Sequence, residues 1–182
     1  MRRMDETRLQ YLLDRLEIQD VVNRYARGLD RHDDDILRSV FHEDAVDNHG
    51  PWVGPREAFV AWANGPCHAH TNAHMHQITT HNCEIDGDVA HTESYCQWVH
   101  RLKDEETVTV GGGRYVDRLE KRDDEWRIVV RRLVLDYHFE AKGSVFGTET
   151  QRAYQTGTWS KDDVSYQRPL RIPDEVMARS VG

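Results

Sequence analysis

Histidine is the residue type in this sequence that most invites a chemical interpretation. The chain has 182 residues and 11 histidines, and five of these fall within fourteen positions: His68, His70, His74, His76 and His81. Imidazole is a common zinc or iron ligand, and alternate residues of a strand share one face. A metal site also needs a third ligand from elsewhere, yet the sequence has no HExxH motif and no clear acidic partner. We therefore predict no metal site and expect most of these histidines to lie in an exposed loop before a strand.

His76 is the best placed of these histidines, because it opens a predicted strand and its side chain can point into the interior. Tyr25 and Asp30 lie near the end of a long predicted helix. Five residues of helix amount to about 140° of rotation, so these two side chains converge only if the helix ends near Gly28 and the chain bends inward. Taken singly, each of the three residues is ordinarily structural: a core tyrosine, a helix-end aspartate and a hydrogen-bonded strand histidine.

The hydrophobic pattern predicts the helices that must position these residues. Apolar residues recur at steps of three and four from Glu6 to Asp30, which predicts a long amphipathic helix with one apolar stripe. Two further helices are predicted over Ile36–Phe41 and Arg56–Ala63. The acidic run Asp33–Asp35 either caps the first of these or forms an exposed turn, and we expect the turn.

Strands dominate the second half of the sequence. A short strand is predicted over Ala45–Asn48, and a four-stranded meander over Met75–Ile85, Val89–Leu102, Thr107–Glu120 and Trp126–Glu140. In the last strand, one alternating set of residues is expected to pack on helices: Leu133, Leu135, Tyr137 and Phe139. Helices followed by an antiparallel meander predict an α+β fold rather than α/β.

Large aromatic residues are the predicted walls of an internal pocket. Trp52, Trp62 and Trp98 are the candidates, with His49 and Asn48 as polar groups on the facing strand. Plain core packing is the alternative for all three tryptophans, because pockets and cores share the same composition.

Composition and charge exclude several classes of protein. The formal net charge is −8 and charges of both signs are interleaved, so the concentrated basic face of a nucleic-acid-binding protein is absent. No apolar run reaches the ~18–20 residues that span a bilayer, and no secretory signal is visible. Three cysteines without a CxxC spacing fit the cytoplasm. We expect one domain over residues 1–140, and a tail over residues 141–182 that packs on it or on a neighbouring subunit.

Three segments of the sequence resemble a known superfamily. They are IQDVVNRYARGLD in the long helix, HMHQITTHNCEIDGD in the first meander strand and GGGRYVDRLEKRDDEWRIVVRR in the last two strands. The third is similar to the recurring glycine, aromatic, acidic, turn and tryptophan pattern of the SnoaL-like (nuclear transport factor 2-like) superfamily. The resemblance covers about residues 8–140. It implies a cone-shaped α+β barrel, in which a curved antiparallel sheet wraps around the N-terminal helices and encloses one apolar pocket.

Within this superfamily, the polar residues are most similar to a group of cofactor-independent lyases. The group includes bile-acid 7α-dehydratase, scytalone dehydratase and hexachlorocyclohexane dehydrochlorinase. The resemblance to the bile-acid enzyme implies catalytic roles for Tyr25, Asp30 and His76, and the dehydrochlorinase shares the Asp and the His. His100 is a weaker match to a second pocket histidine of scytalone dehydratase. Trp98 stands where the bile-acid enzyme has an Asp, and this departure affects the expected substrate and acid step.

The resemblance implies an elimination of the dehydratase type on a hydrophobic, hydroxylated small molecule, such as a steroid-like or polyketide-like compound. His76 would act as base or acid, Asp30 would orient it, and Tyr25 would donate a proton to a substrate oxygen. No cofactor would be required. An isomerase or cyclase using the same proton transfer is a close variant.

A different class of function stays open beside the lyase. The chain is also similar in fold to non-catalytic scaffold subunits, such as the β subunits of aromatic-ring dioxygenases, and to small-ligand-binding modules. For an enzyme we expect a homo-oligomer, either a dimer or a trimer, because exposed sheet faces of this fold commonly pair. A scaffold subunit is expected instead to be unstable or sticky without its partner.

Overall fold

The computed structural model of the chain describes residues 6–143 and 148–177. Its helices are α1 (Glu6–Asp30), α2 (Asp34–Ser39), α3 (Arg56–Ala63), α4 (Glu149–Arg152) and α5 (Asp174–Met177), and 3₁₀ turns occur at Pro66–His68 and Val164–Tyr166. Its strands are β1 (Phe41–Asn48), β2 (Val53–Pro55), β3 (Thr71–Asp86), β4 (Val89–Leu102), β5 (Thr107–Arg122) and β6 (Glu125–Lys142). Of the helices formed by these residues, none has the length and apolar character needed to cross a membrane.

The six strands form one open, curved sheet in the order β2-β1-β6-β5-β4-β3. Strands β3 to β6 pair antiparallel as the predicted meander, and the predicted α+β class is confirmed. The sheet is not purely antiparallel, however, because β1 runs parallel to β6. A parallel pair needs a long connection, and here all the elements from β2 to β5 lie between the two strands.

The second helix, α2, begins earlier than predicted because Asp33 caps it. It also ends earlier than predicted, at Ser39. The Asp33 carboxylate accepts a hydrogen bond from the Ile36 backbone N–H at 3.2 Å, which starts α2 at Asp34 instead of Ile36. Asp33 is buried, so the expectation of an exposed turn is wrong for this residue. The helix then packs closely on α1 at Gly28, where an added Cβ would lie 3.0 Å from the Leu37 backbone nitrogen.

Only half of the apolar stripe of α1 is covered by the rest of the chain. Residues of its second half are buried against the sheet: Ile18, Val21, Val22, Tyr25 and Leu29. Residues of its first half are exposed, by 42% at Leu9 and by 63% at Leu16. The long helix predicted from the apolar stripe is present, but among the described residues only the second half of the stripe is buried.

A β-bulge changes which side chains of β6 face the helices. Gly112 pairs with Tyr137, whereas the next residue, Gly113, pairs with Leu135, so β6 carries one extra residue at this point. Adjacent residues of β5 point to opposite faces, and Tyr137 and Leu135 must therefore do so as well. Leu135, Tyr137 and Phe139 are exposed, and the expectation that they pack on helices is wrong.

An ion pair at the centre of the core joins β5 to β6. Arg131 and Asp117 are completely buried, and their two hydrogen bonds measure 2.7 Å (Nε to Oδ1) and 2.6 Å (Nη2 to Oδ2). The guanidinium carbon lies 3.8 Å from the ring centre of Tyr25 and 4.3 Å from that of Tyr115. These cation–π contacts attach α1 to the sheet through Tyr25.

Removing one charge of this pair is expected to destabilise the fold strongly. Asp117→Ala leaves the Arg131 guanidinium buried without its counter-ion, which costs about 3–5 kcal/mol of the free energy of unfolding. Urea unfolding followed by circular dichroism measures the loss. As a matched control, Asp136→Ala removes an exposed carboxylate 3.2 Å from Arg114 and should cost at most about 1 kcal/mol. Equal losses of unfolding free energy in the two variants would contradict the stabilising role of the buried Arg131–Asp117 pair.

Candidate active site

An apolar pocket lies between the helices and the concave face of the sheet. Its volume is about 150 Å³, and α1, α3 and β6 contribute aromatic or apolar side chains to its lining: Leu29, Phe59, Trp62 and Leu133. Histidines supply most of its polar wall, namely His49, His68, His76 and His100. An apolar cavity with a few convergent polar groups is the usual form of a small-molecule site.

Asp30 and His76 meet at one side of this pocket. Asp30 is the last residue of α1, and its Oδ1 lies 2.7 Å from Nδ1 of His76. Both carboxylate oxygens also accept the His76 backbone N–H, at 3.1 and 3.0 Å. α1 continues to Asp30, so it lacks the bend near Gly28 that would let Tyr25 and Asp30 converge. Asp30 instead reaches β3 directly from the helix end.

The environment of Asp30 keeps its carboxylate ionised. Burial alone would raise the pKa of Asp30, but the side chains of His74 and His76 and the His76 backbone N–H outweigh it and lower the pKa to about 2. An ionised carboxylate has no proton to donate, so Nδ1 of His76 must be the donor in their hydrogen bond. The other ring nitrogen of His76, Nε2, is then unprotonated in the neutral imidazole.

The structure does not bring Tyr25 to the pocket wall with this pair. Its side chain is fully buried, with the ring beneath Arg131 and 5.2 Å from the ring of Tyr115, which does line the pocket. The Tyr25 hydroxyl has no hydrogen-bond partner among the described residues. Burial, together with the charge of Asp47, raises the pKa of Tyr25 well above its usual value. The rotation of about 140° between positions 25 and 30 of one helix accounts for the separation.

The histidine-rich segment is not the exposed loop that the sequence predicted. His74, His76 and His81 lie in β3, and His68, in the turn before it, is buried beside them. His74 pairs with His100 across β3 and β4, and its ring stacks on that of His68 at 3.8 Å. His32, which the sequence analysis did not single out, joins the cluster with Nε2 at 2.9 Å from Nε2 of His74.

Burial keeps most of this cluster uncharged. Loss of water, with added repulsion from neighbouring histidines, lowers the pKa of His68 to about 2, that of His100 to about 3 and that of His32 to about 4. One ring or carboxylate atom per residue comes within 4.8 Å of the others in three triplets: His32-His68-His74, His68-His76-His100 and Asp30-His74-His76. The third metal ligand that was not visible in the sequence is therefore available from residues distant in the chain.

A second aspartate–histidine pair lies at the end of β1, with Asp47 in the strand and His49 directly after it. Asp47 is buried, and its Oδ1 is 3.1 Å from Nδ1 of His49, which lines the pocket. The spacing of two residues in a strand places both side chains on one face. His49 was predicted from the sequence as a pocket residue, whereas its partner Asp47 was not, although a spacing of two residues indicates a shared face.

The tryptophans contribute unequally to the walls. Trp62 and Trp98 line the pocket, whereas Trp52 stacks on Trp62 at 5.1 Å and lies outside the lining. Trp98 lies flat on the sheet over Gly111, where an added Cβ would be 2.2 Å from the indole ring. The glycine run that opens the family-like segment thus makes room for one wall of the pocket.

The C-terminal segment covers the turn between α1 and α2. Trp159 stacks on His32 with ring centres 4.0 Å apart, and Asp163 forms an ion pair with Arg31 at 2.9 Å. Tyr166 and Lys161 both bind the Asp33 carboxylate. These contacts close the histidine cluster from the side opposite to the pocket.

Comparison with known proteins identifies the family and the fold of the chain. Residues 10–132 match the family described as the SnoaL-like domain, while no curated protein matches the chain with significance. A type 2 hexachlorocyclohexane dehydrochlorinase superposes with a TM-score of 0.71 at 20% identity, over 78% of this chain and 97% of that one. A scytalone dehydratase-like protein from Novosphingobium aromaticivorans gives 0.65 at 20% identity, over 71% and 88% of the two chains.

A third similar structure has higher sequence identity. It is a protein of unknown function from Mycobacterium tuberculosis, 31% identical over 70% of this chain and 74% of that one, with a TM-score of 0.62. The first two likenesses, at their lower identities, establish a shared fold alone.

The neutral histidines predict that the metal-free protein loses stability in mild acid. His68 and His100 take up protons near pH 6.5 when unfolded, but their folded pKa values are about 2 and 3. Their contribution is therefore complete above pH 6.5 and is lost as the pH falls below it, by up to about 1.4 kcal/mol per pH unit for each group. Urea unfolding at pH 7, 6 and 5 measures the slope. His100→Gln should make it shallower, and a flat profile for the parent protein would be incompatible with buried neutral imidazoles.

Proposed function

Because the chain belongs to the SnoaL-like domain family, we propose that it is a lyase that eliminates a small leaving group from a hydrophobic compound by acid–base chemistry, without a cofactor. The observation that carries the proposal is the contact of 2.7 Å between Asp30 and His76 at the wall of an apolar pocket. Dehydration and dehydrochlorination are the reactions named for two proteins of similar fold, and both begin by removing a proton bound to carbon.

His76 is the proposed base. With Nδ1 donating to Asp30, the lone pair of Nε2 is available to take the substrate proton. The imidazolium that forms is stabilised by the Asp30 carboxylate, which fixes the tautomer as aspartate does in other Asp–His pairs. Since both Asp30 oxygens also hold the His76 backbone, the ring and its main chain are positioned together. Positioned proton transfer of this kind typically contributes about 10²–10⁴-fold in rate.

His49 is the proposed acid for the leaving group. It lines the same pocket and is oriented by its own carboxylate, Asp47, at 3.1 Å. β1 and β3 are separated in the sheet by β6, β5 and β4, so His49 and His76 approach a substrate from different sides. An elimination needs a base at one carbon and an acid at the leaving group of the next, and two separate pairs meet that need. The proposal assigns no proton to Tyr25, because the Tyr25 side chain does not line the pocket.

The size of the pocket favours a small cyclic substrate. Its volume of about 150 Å³ matches a single ring better than a four-ring steroid. Trp62, Trp98 and Phe59 supply flat apolar walls for such a ring. Within the hydroxylated compounds expected from the sequence, a polyketide-like single ring is therefore the better candidate. A halogenated ring is a further candidate, suggested by the dehydrochlorinase of similar fold. Isomerisation by the same proton transfer is the nearest variant.

A scaffold or ligand-binding role is the second candidate. Its support is the apolar surface exposed on the first half of α1 and at the end of β6, including Leu16 and Phe139. Surfaces of this kind mark sites of protein association, and they also support the expected homo-oligomer. A scaffold, however, gains nothing from two largely buried aspartate–histidine pairs around one cavity.

Replacing the proposed base or the carboxylate that orients it is expected to slow elimination strongly. His76→Gln and Asp30→Asn should each lower kcat by about 10²–10⁴-fold on hydroxylated or chlorinated ring substrates, because the first removes the base and the second its orienting charge. Substrate loss in chromatography measures turnover. Tyr25→Phe is the matched control, since it changes a buried hydroxyl outside the pocket and should retain most activity. Full turnover by both pocket variants would sink the mechanism.

The role of His49 is tested by changing the leaving group. His49→Gln should slow the loss of hydroxide, which needs a proton, by about 10²-fold or more. The loss of chloride or bromide, which needs none, should change far less. Matched pairs of substrates that differ only at the leaving atom give the comparison. An equal decrease for both leaving groups would assign His49 to substrate binding instead of acid catalysis.

A further inference from the structure

Three histidines at the pocket wall have the mutual arrangement of metal ligands. The ring centres of His68 and His100 are 5.2 Å apart, those of His68 and His76 are 6.0 Å apart, and those of His76 and His100 are 6.1 Å apart. The rings are inclined to one another by 81°, 82° and 62°. Three imidazoles that bind one tetrahedral zinc ion through nitrogens at ~2.0–2.1 Å have ring centres roughly 5 Å apart, so the spacing fits.

Hydrogen bonds orient two of these rings for ligation. Nδ1 of His68 donates to the Ala63 carbonyl at 2.7 Å, and Nδ1 of His76 donates to Asp30. In each neutral ring the lone pair is then on Nε2. A metal-binding histidine almost always gives its other N–H to a carboxylate or a backbone carbonyl, and both kinds of partner are present here.

The third ring has a nitrogen without a partner. Nε2 of His100 is buried and makes no hydrogen bond to any described residue. A buried polar atom left without a partner ordinarily costs stability unless water or an ion satisfies it. His68, His76 and His100 all line the pocket, so the remaining coordination position would open into the cavity.

We propose that His68, His76 and His100 form a binding site for a divalent transition metal ion. Zinc is the ion for which three imidazole ligands are most suitable. Asp30 does not bind the ion itself but accepts the Nδ1 hydrogen bond of His76 and so orients that ligand. The ion binds through Nε2 of His76, which is the lone pair required for proton abstraction. The consequence rests on the proposed function: bound zinc makes the base unavailable, so zinc inhibits the elimination reversibly.

The two other triplets that come together in the cluster are less suitable. His68 and His74 stack almost parallel, with 9° between their planes, so their lone pairs do not converge on one ion. In the triplet of Asp30, His74 and His76, the carboxylate is already occupied by the His76 backbone and ring. Of the three triplets among the described residues, only His68, His76 and His100 combine rings inclined to one another with nitrogens that hydrogen bonds orient.

Binding is tested with cobalt, which reports its coordination through visible absorption bands. Tag-free protein, stripped with a chelator, is titrated with Co²⁺ and then with Zn²⁺. One equivalent should bind with the intense bands of a four- or five-coordinate site, and zinc should displace it. Asp30→Asn should weaken binding by about 10–100-fold, and His100→Gln by more than that.

The matched controls are other histidines of the same region. His32→Gln removes a residue of the competing triplet, and His70→Gln removes an exposed imidazole beside His100. Both variants should bind cobalt like the parent, and circular dichroism verifies that all variants fold. Absent cobalt bands, or bands that survive His100→Gln and disappear in His32→Gln, would overturn the site.

Activity measurements separate this proposal from the proposed function. Chelator-treated parent protein should turn over substrate, zinc should inhibit it, and chelator should restore it, whereas the activity of His68→Gln should no longer respond to zinc. Cobalt binding without any metal-free turnover would support the metal site and contradict the base role of His76. Turnover that zinc leaves unchanged at saturating binding would overturn the inhibitory consequence.

Discussion

The hydrogen bonds between Asp30 and His76 join the end of α1 to the start of β3, and the geometry of the pocket depends on them. One carboxylate holds both the ring and the backbone N–H of the same residue, so the helix end fixes the strand and its side chain together. Asp30 accepts all three hydrogen bonds more strongly when it is ionised, because a charged acceptor binds a donor more tightly than a neutral one. Its lowered pKa is therefore at once a property of the site and a term in the stability of the fold.

Close packing elsewhere brings these two elements to the required distance. Gly28 lets α2 approach α1, and Arg131 pulls Tyr25, on the inner face of α1, against the centre of the sheet. The inner face of the helix is thus committed to the core, and Asp30, about 140° away, is left to face β3. The same rotation that keeps Tyr25 out of the pocket is what directs Asp30 to His76. The separation of the two side chains follows from the helix being regular to its end.

Local patterns in the sequence predicted α1, α3 and the four-stranded meander, because amphipathic periodicity and turn residues are local signals. They failed where a distant contact decides the result. The pairing of β1 with β6 depends on strands far apart in the chain, and the bulge at Leu135 to Tyr137 shifts the alternation by one residue. Most of the histidines were expected in an exposed loop. Several lie instead in β3, and the cluster is buried by β4, the turn at His68 and Trp159.

The sequence predicted individual residues of the candidate site, but not all the contacts that bring them together. Asp30, His76, Trp98 and His49 were named from the sequence, and the structure describes where each lies. Asp47 and His32 were not named, and the place of His68 in the site was not predicted. His32 and His68 become relevant through contacts with residues distant in sequence, namely His74 and His100. Asp47 lies only two residues from His49, and its part in the site was overlooked. Sequence spacing can indicate that two strand residues share a face, but not what lies opposite that face.

The use of two carboxylates for two histidines has a physical basis. An acid and a base that shared one carboxylate, or touched each other, would exchange their proton and lose the difference in protonation that elimination needs. Here Asp30 comes from the end of α1 and Asp47 from β1, and the apolar walls of Trp62, Trp98 and Phe59 belong to the same cavity as both histidines. A substrate that fills this space would be the link between the two pairs. In the proposed mechanism, one imidazole would stay a proton acceptor and the other a donor until a substrate with the right two groups connects them.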